Sequence, residues 1–481
     1  MSLKQKALHG FAWNLTDKLI NQLGFLAVTV YLARIIGPES FGLIGMLTIF
    51  ILLAESVISG GFSAALVQRS NQVTLEDENT VFYINLIWGF IIYAALYFCA
   101  PLIAQFYKEP KLIDISRILF LVVIVNSLAV VVRAKLTIKI DFKSQAIANT
   151  IATLLSASVG IYLAQFDYDY WAFVWMLVLK AVLNTIFIWF FCRWWPQLVF
   201  SIASFERLFK FGSNLMLAGF VAAFVNNLYI ALIGRYFNAT QVGYFTQATN
   251  LSNYLYQFIS STLQGVTYPI LTSVKEDRER LINIYKQLIS ITMLVSLPLL
   301  VGLAAVSYEF VLLFLGEEWL PAVPVLTALC FARAITPISA INMGILNAIG
   351  RSDLFLKVDL SKLPLVLGAL LLSVPYGIEM VAWSMVATTV VAFFVNAYFP
   401  GKLFGFGGLL QLKAASKYIL SSSIMYVAVV LLQFDAPLWI LLISKIILGV
   451  FLYLVLLVAF KDEFLIKNAK SLINRFKENI L

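Results

Sequence analysis

A stripe of polar side chains in the first apolar stretch is the feature of this sequence that most resembles a functional site. Asn14, Asp17, Lys18, Asn21 and Gln22 follow one another at helical spacing, so they share one face of a helix. Ionisable groups in a helix surrounded by apolar material are costly, and they usually face a cavity or a partner. We therefore expect this face to form the wall of a hydrated cavity.

A second polar stripe lies further along the chain, and an isolated arginine follows it. Gln247, Asn250 and Gln257 are three and seven residues apart, which places them on one helix face, and Arg333 lies in a later apolar stretch. Cations bind phosphate, and amides bind sugar hydroxyls. The predicted substrate cavity is lined by Asn14, Lys18, Asn21, Gln247, Asn250, Gln257 and Arg333. The alternative is that the amides only join neighbouring helices by hydrogen bonds.

Two carboxylates are candidates for coupling transport to an ion. Asp17 and Glu55 lie in the first two apolar stretches, where an H+ or Na+ gradient or the membrane potential would act on them. The only histidine, His9, precedes the first apolar stretch, and the three cysteines all lie inside apolar runs. We expect no catalytic set, no metal site and no cofactor.

The elements that position these residues are membrane helices. Apolar residues make up 61% of the chain and charged residues 12%, against about 25% charged residues in ordinary soluble domains. A span needs about 20 mainly apolar residues. That length predicts an all-α protein with fourteen spans, near 11–36, 41–66, 80–105, 115–136, 145–165, 170–192, 211–235, 242–271, 284–307, 321–348, 357–376, 378–400, 415–433 and 438–460.

The positive charges predict the orientation. Most lysines and arginines fall on one side of the membrane if the N-terminus is cytoplasmic, which also places the C-terminus there. The net charge of +9 is therefore explained by cytoplasmic loops, and no nucleic-acid partner is expected. We expect a multi-pass protein of the bacterial inner membrane.

A repeated pattern predicts how the helices are grouped. Arg34 and Gly42 recur as Arg235 and Gly243, an offset of 201 residues. Six spans separate the copies, so both run in the same direction, as in transporters built from parallel repeats with a site between them. Chance similarity is the alternative. The predicted parts are an N-terminal lobe of six helices, a cytoplasmic linker, a second six-helix lobe, two further helices and an amphipathic tail, at 1–200, 201–212, 213–402, 403–460 and 461–481 respectively.

Several short motifs resemble the Wzx-type polysaccharide flippases. These belong to the exporter superfamily that also contains multidrug and lipid II transporters. The resemblance extends over residues 10 to 400, and the motifs that carry it are "GFAWNL" at Gly10, "LARIIGPESFG" at Leu32, "GRYFNATQVGYF" at Gly234, "GEEWLPAVPVLTAL" at Gly316 and "LNAIGR" at Leu346.

The resemblance implies a transporter that is not an enzyme. It would move undecaprenyl-diphosphate-linked oligosaccharide units across the inner membrane by alternating access, for lipopolysaccharide or exopolysaccharide synthesis. Lys18, Arg333 and the amides of the eighth helix would line its cavity, and membrane lipids and a polysaccharide polymerase complex would be its partners. Tyr229 stands where many relatives carry an aspartate, so an ion-coupling role is not carried over to that position.

Two other functions stay open at this point. A multidrug exporter of the same superfamily is the nearer alternative, although the lysines and Arg333 are unsuited to cationic drugs. A membrane-embedded glycosyltransferase or polysaccharide polymerase is the more distant one, because it would need catalytic residues on sizeable outer loops, and the predicted outer loops are short.

Overall fold

The computed structural model describes residues 3–59, 61–69, 72–274 and 276–462. Within these ranges the side chains of residues 3–21, 23, 211, 226, 261–266, 268–269, 352 and 356 are not described. Helices make up most of the described part, which contains no strand and has two short 3₁₀ segments at Glu317–Ala322 and Val374–Tyr376.

Sixteen α-helices form the described chain. In order they are α1 Leu3–Ser59, α2 Phe62–Gln68, α3 Leu75–Tyr107, α4 Leu112–Leu119, α5 Leu121–Ile138, α6 Phe142–Gln165, α7 Asp169–Cys192, α8 Ile202–Tyr236, α9 Ala239–Ser273, α10 Arg278–Ala305, α11 Ser307–Phe314, α12 Val323–Ala348, α13 Ser352–Ser373, α14 Ile378–Phe404, α15 Gly408–Leu431 and α16 Leu438–Ala459.

The long first helix is two helices joined at a glycine. Gly37 has φ 75° and ψ 173°, a backbone conformation that residues other than glycine rarely adopt. Pro38 then begins the second segment, where its missing N–H costs nothing. This break lies between the first two predicted spans.

Ten helical segments of the described chain are long and apolar enough to cross a membrane, or eleven if a bent pair in α8 counts as one span. Helices α9 and α13 have 35 and 22 residues but carry many polar side chains, so composition does not identify them as spans. The fold is therefore that of an all-helical, multi-pass membrane protein. The count of fourteen spans and the parallel repeat stay predictions.

The chain packs as two compact units, which we call unit 1 (Met1–Thr246) and unit 2 (Gln247–Leu481). The boundary between them lies inside α9. The predicted division into lobes, linker and terminal helices stays a prediction. The predicted amphipathic tail at 461–481 lies outside the described residues, apart from its first two.

In unit 1, three of four consecutive polar residues at the start of α3 hold the segment that leads into and begins α8, and the fourth, Glu78, binds α5. Asp77 pairs with Arg207, and Glu78 binds Lys135 at 2.6 Å. Asn79 Oδ1 accepts a hydrogen bond from the backbone N–H of Gln197 at 2.7 Å, and Thr80 Oγ1 accepts one from the backbone N–H of Ser201 at 3.0 Å. All four side chains are buried. The predicted linker residues therefore form the first turns of α8, which bends by 48° after residue 210.

In unit 2, helices α10, α12 and α15 are joined by a buried polar network. Tyr285 donates a hydrogen bond to the side-chain oxygen of Asn342, and Gln411 donates to both residues at 3.0 Å. The same amide also donates to the carbonyl of Phe406 at 2.9 Å. A buried network in which every member is bonded rigidifies its surroundings. It supports the helices that carry the candidate site.

Candidate functional site

Arg333, predicted to line a cavity, is a membrane cation that no carboxylate neutralises among the described residues. It lies in α12, where its Nε donates to Ser252 Oγ of α9 at 3.1 Å. Its guanidinium carbon lies 5.6 Å from the centroid of the Tyr256 ring. These contacts hold the side chain in place and leave its charge uncompensated. Such a cation is costly in a membrane protein, which points to a functional role.

A cavity of about 570 Å³ begins next to this arginine. Tyr256, which stacks under the guanidinium, and Thr336, one turn after Arg333, are both in its wall. Hydroxyl and amide groups of the wall alternate with apolar side chains. The wall is completed by Thr267, Ser339, Ala340, Ile341, Met343, Gly344, Asn347, Phe355, Lys362 and Asn396.

Lys362 is a cation in the cavity wall and is oriented by its neighbours, whereas Arg333 lies beside the wall and does not line it. Its Nζ donates to Asp359 Oδ1 at 2.6 Å and to Asn396 Oδ1 at 3.0 Å. The lysine side chain is only 18% exposed, whereas that of Asp359 is 46% exposed. The ammonium is therefore fixed in the cavity wall with part of its charge balanced.

Two hydroxyl groups of the wall have unmet hydrogen-bonding capacity. Thr267 Oγ1 and Ser339 Oγ are buried and have no hydrogen-bond partner among the described residues. A buried polar atom without a partner is costly unless water or a ligand satisfies it. Together with Asn347 and Asn396, these groups can bind a polyhydroxyl ligand.

The predicted amides of α9 have different surroundings. Gln247 is 1% exposed, and neither its amide nitrogen nor its oxygen has a hydrogen-bond partner among the described residues. Asn250 is half-buried and Gln257 is exposed. None of the three contributes to the wall of the 570 Å³ cavity. Their predicted role in substrate binding stays a prediction.

Unit 1 carries a separate polar cluster around Glu55. Asn126 Nδ2 of α5 donates to Glu55 Oε1 at 2.7 Å. Two turns further along α5, on the same face as Asn126, Arg133 Nη2 donates to Asn184 Oδ1 of α7 at 3.1 Å. Arg133 also interacts electrostatically with Glu55. Glu55 thus has one hydrogen-bond donor and one nearby cation. A coupling role for Glu55 stays a prediction.

The side chains of Asn14, Asp17, Lys18 and Asn21 lie outside the described residues. One neighbouring cation is described, because Lys180 Nζ of α7 lies 3.9 Å from the ring centroid of Phe25 in α1. Lys180 is one turn before Asn184, on the same face of α7.

Sequence reasoning missed several of these partners. Asn126 and Arg133 are seven residues apart, a spacing that puts them on one helix face. The i, i+4 pair of Lys180 and Asn184 was an available signal as well. The contact of Asn126 with Glu55 could not be predicted, because the two residues belong to different helices.

A contrasting ion pair shows what a structural cation looks like in this protein. Lys445 of α16 binds Glu309 of α11 at 2.6 Å, and both side chains are less than a tenth exposed. The second carboxylate oxygen, Glu309 Oε2, has no hydrogen-bond partner among the described residues. This pair is closed and buried, unlike Arg333 beside its cavity. Over the part of the chain that the structure covers, no group of three metal-ligating side chains occurs.

Comparison with known proteins identifies the family. A family model described as "Polysaccharide biosynthesis protein" matches residues 31–324, which is more than half of the chain. The protein belongs to this family. The matched region includes α1 from Tyr31, all of α2 to α11, and the first two residues of α12.

Curated relatives agree with the family. Over 374 residues the chain is 27% identical to the lipopolysaccharide biosynthesis protein WzxC of Escherichia coli, a match that covers 75% of this chain and 74% of that protein. Over 355 residues it is 29% identical to the teichuronic acid biosynthesis protein TuaB of Bacillus subtilis, with 72% of each chain covered. The resemblance to Wzx-type flippases is confirmed.

The fold has a solved counterpart. The lipid II flippase MurJ in an inward closed conformation superimposes with a TM-score of 0.75, covering 95% of this chain and all of that one, at 14% sequence identity. At this identity the likeness concerns the fold alone. The proteins that this chain resembles are transport and polysaccharide biosynthesis proteins, which agrees with a transporter.

Proposed function

We propose that this protein flips undecaprenyl-diphosphate-linked oligosaccharide units across the bacterial inner membrane by alternating access, with both termini in the cytoplasm. The observation that carries the proposal is Arg333, a cation in a membrane helix without a carboxylate partner among the described residues, beside a cavity. An anionic substrate supplies the missing countercharge. Arginine is well suited to this role because its planar fork matches phosphate oxygens.

The cavity walls support a substrate that combines phosphate and sugar. Lys362 adds a second donor for anionic oxygens, and the hydroxyls of Thr267 and Ser339 have unmet hydrogen-bonding capacity. The cavity of about 570 Å³ falls within the usual range for small-molecule sites, about 300–1,000 Å³, so it would hold only part of an oligosaccharide unit. The relatives named for lipopolysaccharide and teichuronic acid biosynthesis support a polysaccharide precursor.

The alternative within the superfamily is a multidrug exporter. An uncompensated guanidinium repels cationic drugs, and carboxylates that could attract them are absent from the cavity wall described above. The same observation that favours the flippase therefore disfavours this alternative.

The proposal is tested by the lipids of cells that lack the protein. We expect mass spectrometry to show a build-up of completed undecaprenyl-linked repeat units, relieved by the wild-type gene and not by Arg333→Met. Arg351→Gln is the control, because Arg351 is exposed and its charge is already balanced by Asp353, which it binds at 2.9 and 3.0 Å. Unchanged lipids together with new sensitivity to cationic drugs would assign the protein to multidrug export.

A further inference from the structure

A second cavity lies along α13 and α14 of unit 2, and it shares no wall residue with the 570 Å³ cavity. Its volume is about 500 Å³, within the usual range of about 300–1,000 Å³ for small-molecule sites. Residues of these two helices alone form its wall, and α14 is long and apolar enough to cross a membrane. We call this cavity the side groove. A groove that two neighbouring membrane helices form without a third is open to lipid.

The wall of the side groove combines a cation with aromatic and branched side chains. Lys357 of α13 contributes an ammonium group, and Tyr398 of α14 contributes a hydroxyl group. Its apolar wall residues are Val358, Phe394, Val395 and Phe399. Ammonium and hydroxyl groups bind phosphate oxygens, and apolar side chains pack against hydrocarbon. The groove therefore fits a molecule that carries a phosphate and an alkyl chain.

The polar groups lie near the ends of their helices, and the apolar wall extends further in. Lys357 comes five residues after Ser352, the start of α13, and Tyr398 comes six residues before Phe404, the end of α14. At 1.5 Å per residue these distances are about 7.5 and 9 Å. Phe394 lies one turn deeper than Tyr398. Lysine and tyrosine side chains near helix ends reach the lipid headgroups, here those of the cytoplasmic leaflet by the orientation predicted from the positive charges.

The positive charge at this level of the groove is not compensated. Lys357 makes no ion pair with any described residue, and Asp353, one turn before it, is bound by Arg351 at 2.9 and 3.0 Å. Lys402 follows Tyr398 by one turn on the same face of α14, and it is exposed and has no carboxylate partner in the described part of the chain. Uncompensated cations at the cytoplasmic surface of a membrane attract anionic headgroups.

The floor of the side groove supports the candidate cavity. Val358 belongs to a buried cluster with Met343 of α12, and Val395 packs against this cluster. Met343 also lines the 570 Å³ cavity. The next residue after Val395 is Asn396, which accepts the hydrogen bond from Lys362 in the wall of that cavity. Closely packed side chains transmit a displacement, so a molecule in the groove affects the cavity wall.

We propose that the side groove binds an anionic phospholipid of the cytoplasmic leaflet, with its phosphate at Lys357 and Tyr398 and an acyl chain along Phe394. The bound lipid holds α13 and α14 in the position that forms the cavity wall, and it is a resident ligand that is not transported. The binding site stands without any transport activity, whereas its effect on transport rests on the proposed function.

Photocrosslinking tests the binding. Purified protein is placed in phosphatidylcholine nanodiscs that contain a small fraction of phosphatidylglycerol with a photoreactive group on one acyl chain, and mass spectrometry measures the label on residues 352–404. Photoreactive phosphatidylcholine is the comparison probe. Lys357→Gln removes the ammonium group, and Ser361→Leu fills the groove, which Ser361 also lines. Lys413→Gln is the matched control, because Lys413 is exposed and also comes five residues after the start of its helix, α15.

We expect the phosphatidylglycerol probe to label α13 and α14 at least threefold more than the phosphatidylcholine probe. Lys357→Gln should remove this preference, Ser361→Leu should lower labelling by both probes, and Lys413→Gln should match the wild type. Equal labelling by the two probes, or a preference that survives Lys357→Gln, would show that bulk lipid fills the groove and would overturn the proposal. Displacement of the probe by undecaprenyl diphosphate more than by unlabelled phosphatidylglycerol would assign the groove to the substrate and would overturn it as well.

The rate of flipping in vesicles tests the effect on the cavity. Adding phosphatidylglycerol to phosphatidylcholine vesicles should raise the rate several-fold for the wild type, Lys357→Arg and Lys413→Gln. Lys357→Gln should stay slow at every lipid composition, because it has lost the group that binds the phosphate. A wild-type rate that does not depend on phosphatidylglycerol, or a Lys357→Gln rate that rises as the wild-type rate does, would overturn the supporting role of the lipid.

The same measurements separate this inference from the proposed function. A protein whose groove is labelled as expected but which flips no oligosaccharide keeps the lipid site and loses the flippase assignment. A protein that flips oligosaccharide while Lys357→Gln is labelled like the wild type keeps the assignment and loses the lipid site.

Discussion

Removing one positive charge from unit 2 should affect either transport or stability, depending on which of two cations is removed. Arg333→Met removes a cation that lies beside the cavity, and Lys445→Met removes one from the closed pair with Glu309. Both substitutions keep an unbranched side chain of good helix propensity. We expect the first to abolish flipping with little change in stability, and the second to destabilise the protein strongly.

The magnitude for Arg333 follows from its contacts. A charged residue at the centre of a membrane helix costs about 2.5–3.5 kcal/mol on insertion scales. The charged hydrogen bond to Ser252 returns about 1.5–3 kcal/mol, and the contact with the Tyr256 ring returns about 0.5–2 kcal/mol. Ser252 is not left unbonded, because its hydroxyl also donates to the carbonyl of Thr249. The midpoints of these ranges nearly cancel, and the extremes differ by at most about 2.5 kcal/mol, so stability should fall by less than about 2.5 kcal/mol.

The magnitude for Lys445 is larger. Removing one partner of a buried ion pair typically costs about 3–5 kcal/mol, because the other charge stays buried without compensation. Glu309 has no second partner to take over, since its Oε2 is already unbonded among the described residues. Adding Glu309→Gln to Lys445→Met removes the orphaned charge, and the double variant should recover most of the loss.

The assay is equilibrium unfolding of the purified variants in detergent, combined with the cellular lipid measurement for each. A loss of about 3 kcal/mol or more for Arg333→Met would show that this arginine holds helices together, and the reasoning about an uncompensated cation would fail. A double variant as unstable as Lys445→Met alone would refute the ion-pair argument.

Three further predictions concern other described residues. Thr267→Val and Ser339→Ala should each lower flipping several-fold at unchanged or slightly higher stability, because each removes an unbonded buried hydroxyl; a loss of stability of more than about 1 kcal/mol would contradict this. Glu55→Gln should leave the protein folded, since a glutamine oxygen can still accept the hydrogen bond from Asn126. If Glu55 couples transport to an ion, flipping by this variant should no longer respond to agents that collapse the proton or sodium gradient. Flipping that still responds to these agents would exclude a coupling role for Glu55. Asp77→Ala should destabilise unit 1 by about 2 kcal/mol in the same unfolding assay, because it removes the first-turn cap of α3 and a partner of Arg207; a change below about 0.5 kcal/mol would contradict that role.

Features set by local physical chemistry were predictable from the sequence. The apolar runs predicted an all-helical membrane protein, and the Gly37–Pro38 step marks a real break, because only glycine readily takes the positive φ found there. Helices α9 and α13 carry polar residues of the candidate site, and the same residues prevent composition from identifying these helices as spans. Span counting is therefore least reliable where function is most concentrated.

The site was only partly predictable because its contacts join distant helices. Arg333 could be singled out as a costly charge, but its contacts with Ser252 and Tyr256 depend on how α9 and α12 pack. Gln247 shows the opposite case, since helical spacing placed it on a polar stripe although its amide is buried outside the cavity wall. The repeat offset indicated that Gly42 and Gly243 are equivalent, but not that their backbones lie so close that a Cβ on Gly42 would be 2.9 Å from the nitrogen of Gly243.

The central claim is that the protein moves a lipid-linked oligosaccharide through a site that contains Arg333. The most direct measurement uses purified protein in sealed vesicles that carry undecaprenyl-diphosphate-linked oligosaccharide, with an added glycosidase that cuts only the units on the outer surface. We predict that the wild type and Arg351→Gln make nearly all units accessible, whereas Arg333→Met leaves the inner half protected, as vesicles without protein do. Protection that persists with the wild-type protein, or full access with Arg333→Met, would contradict the account.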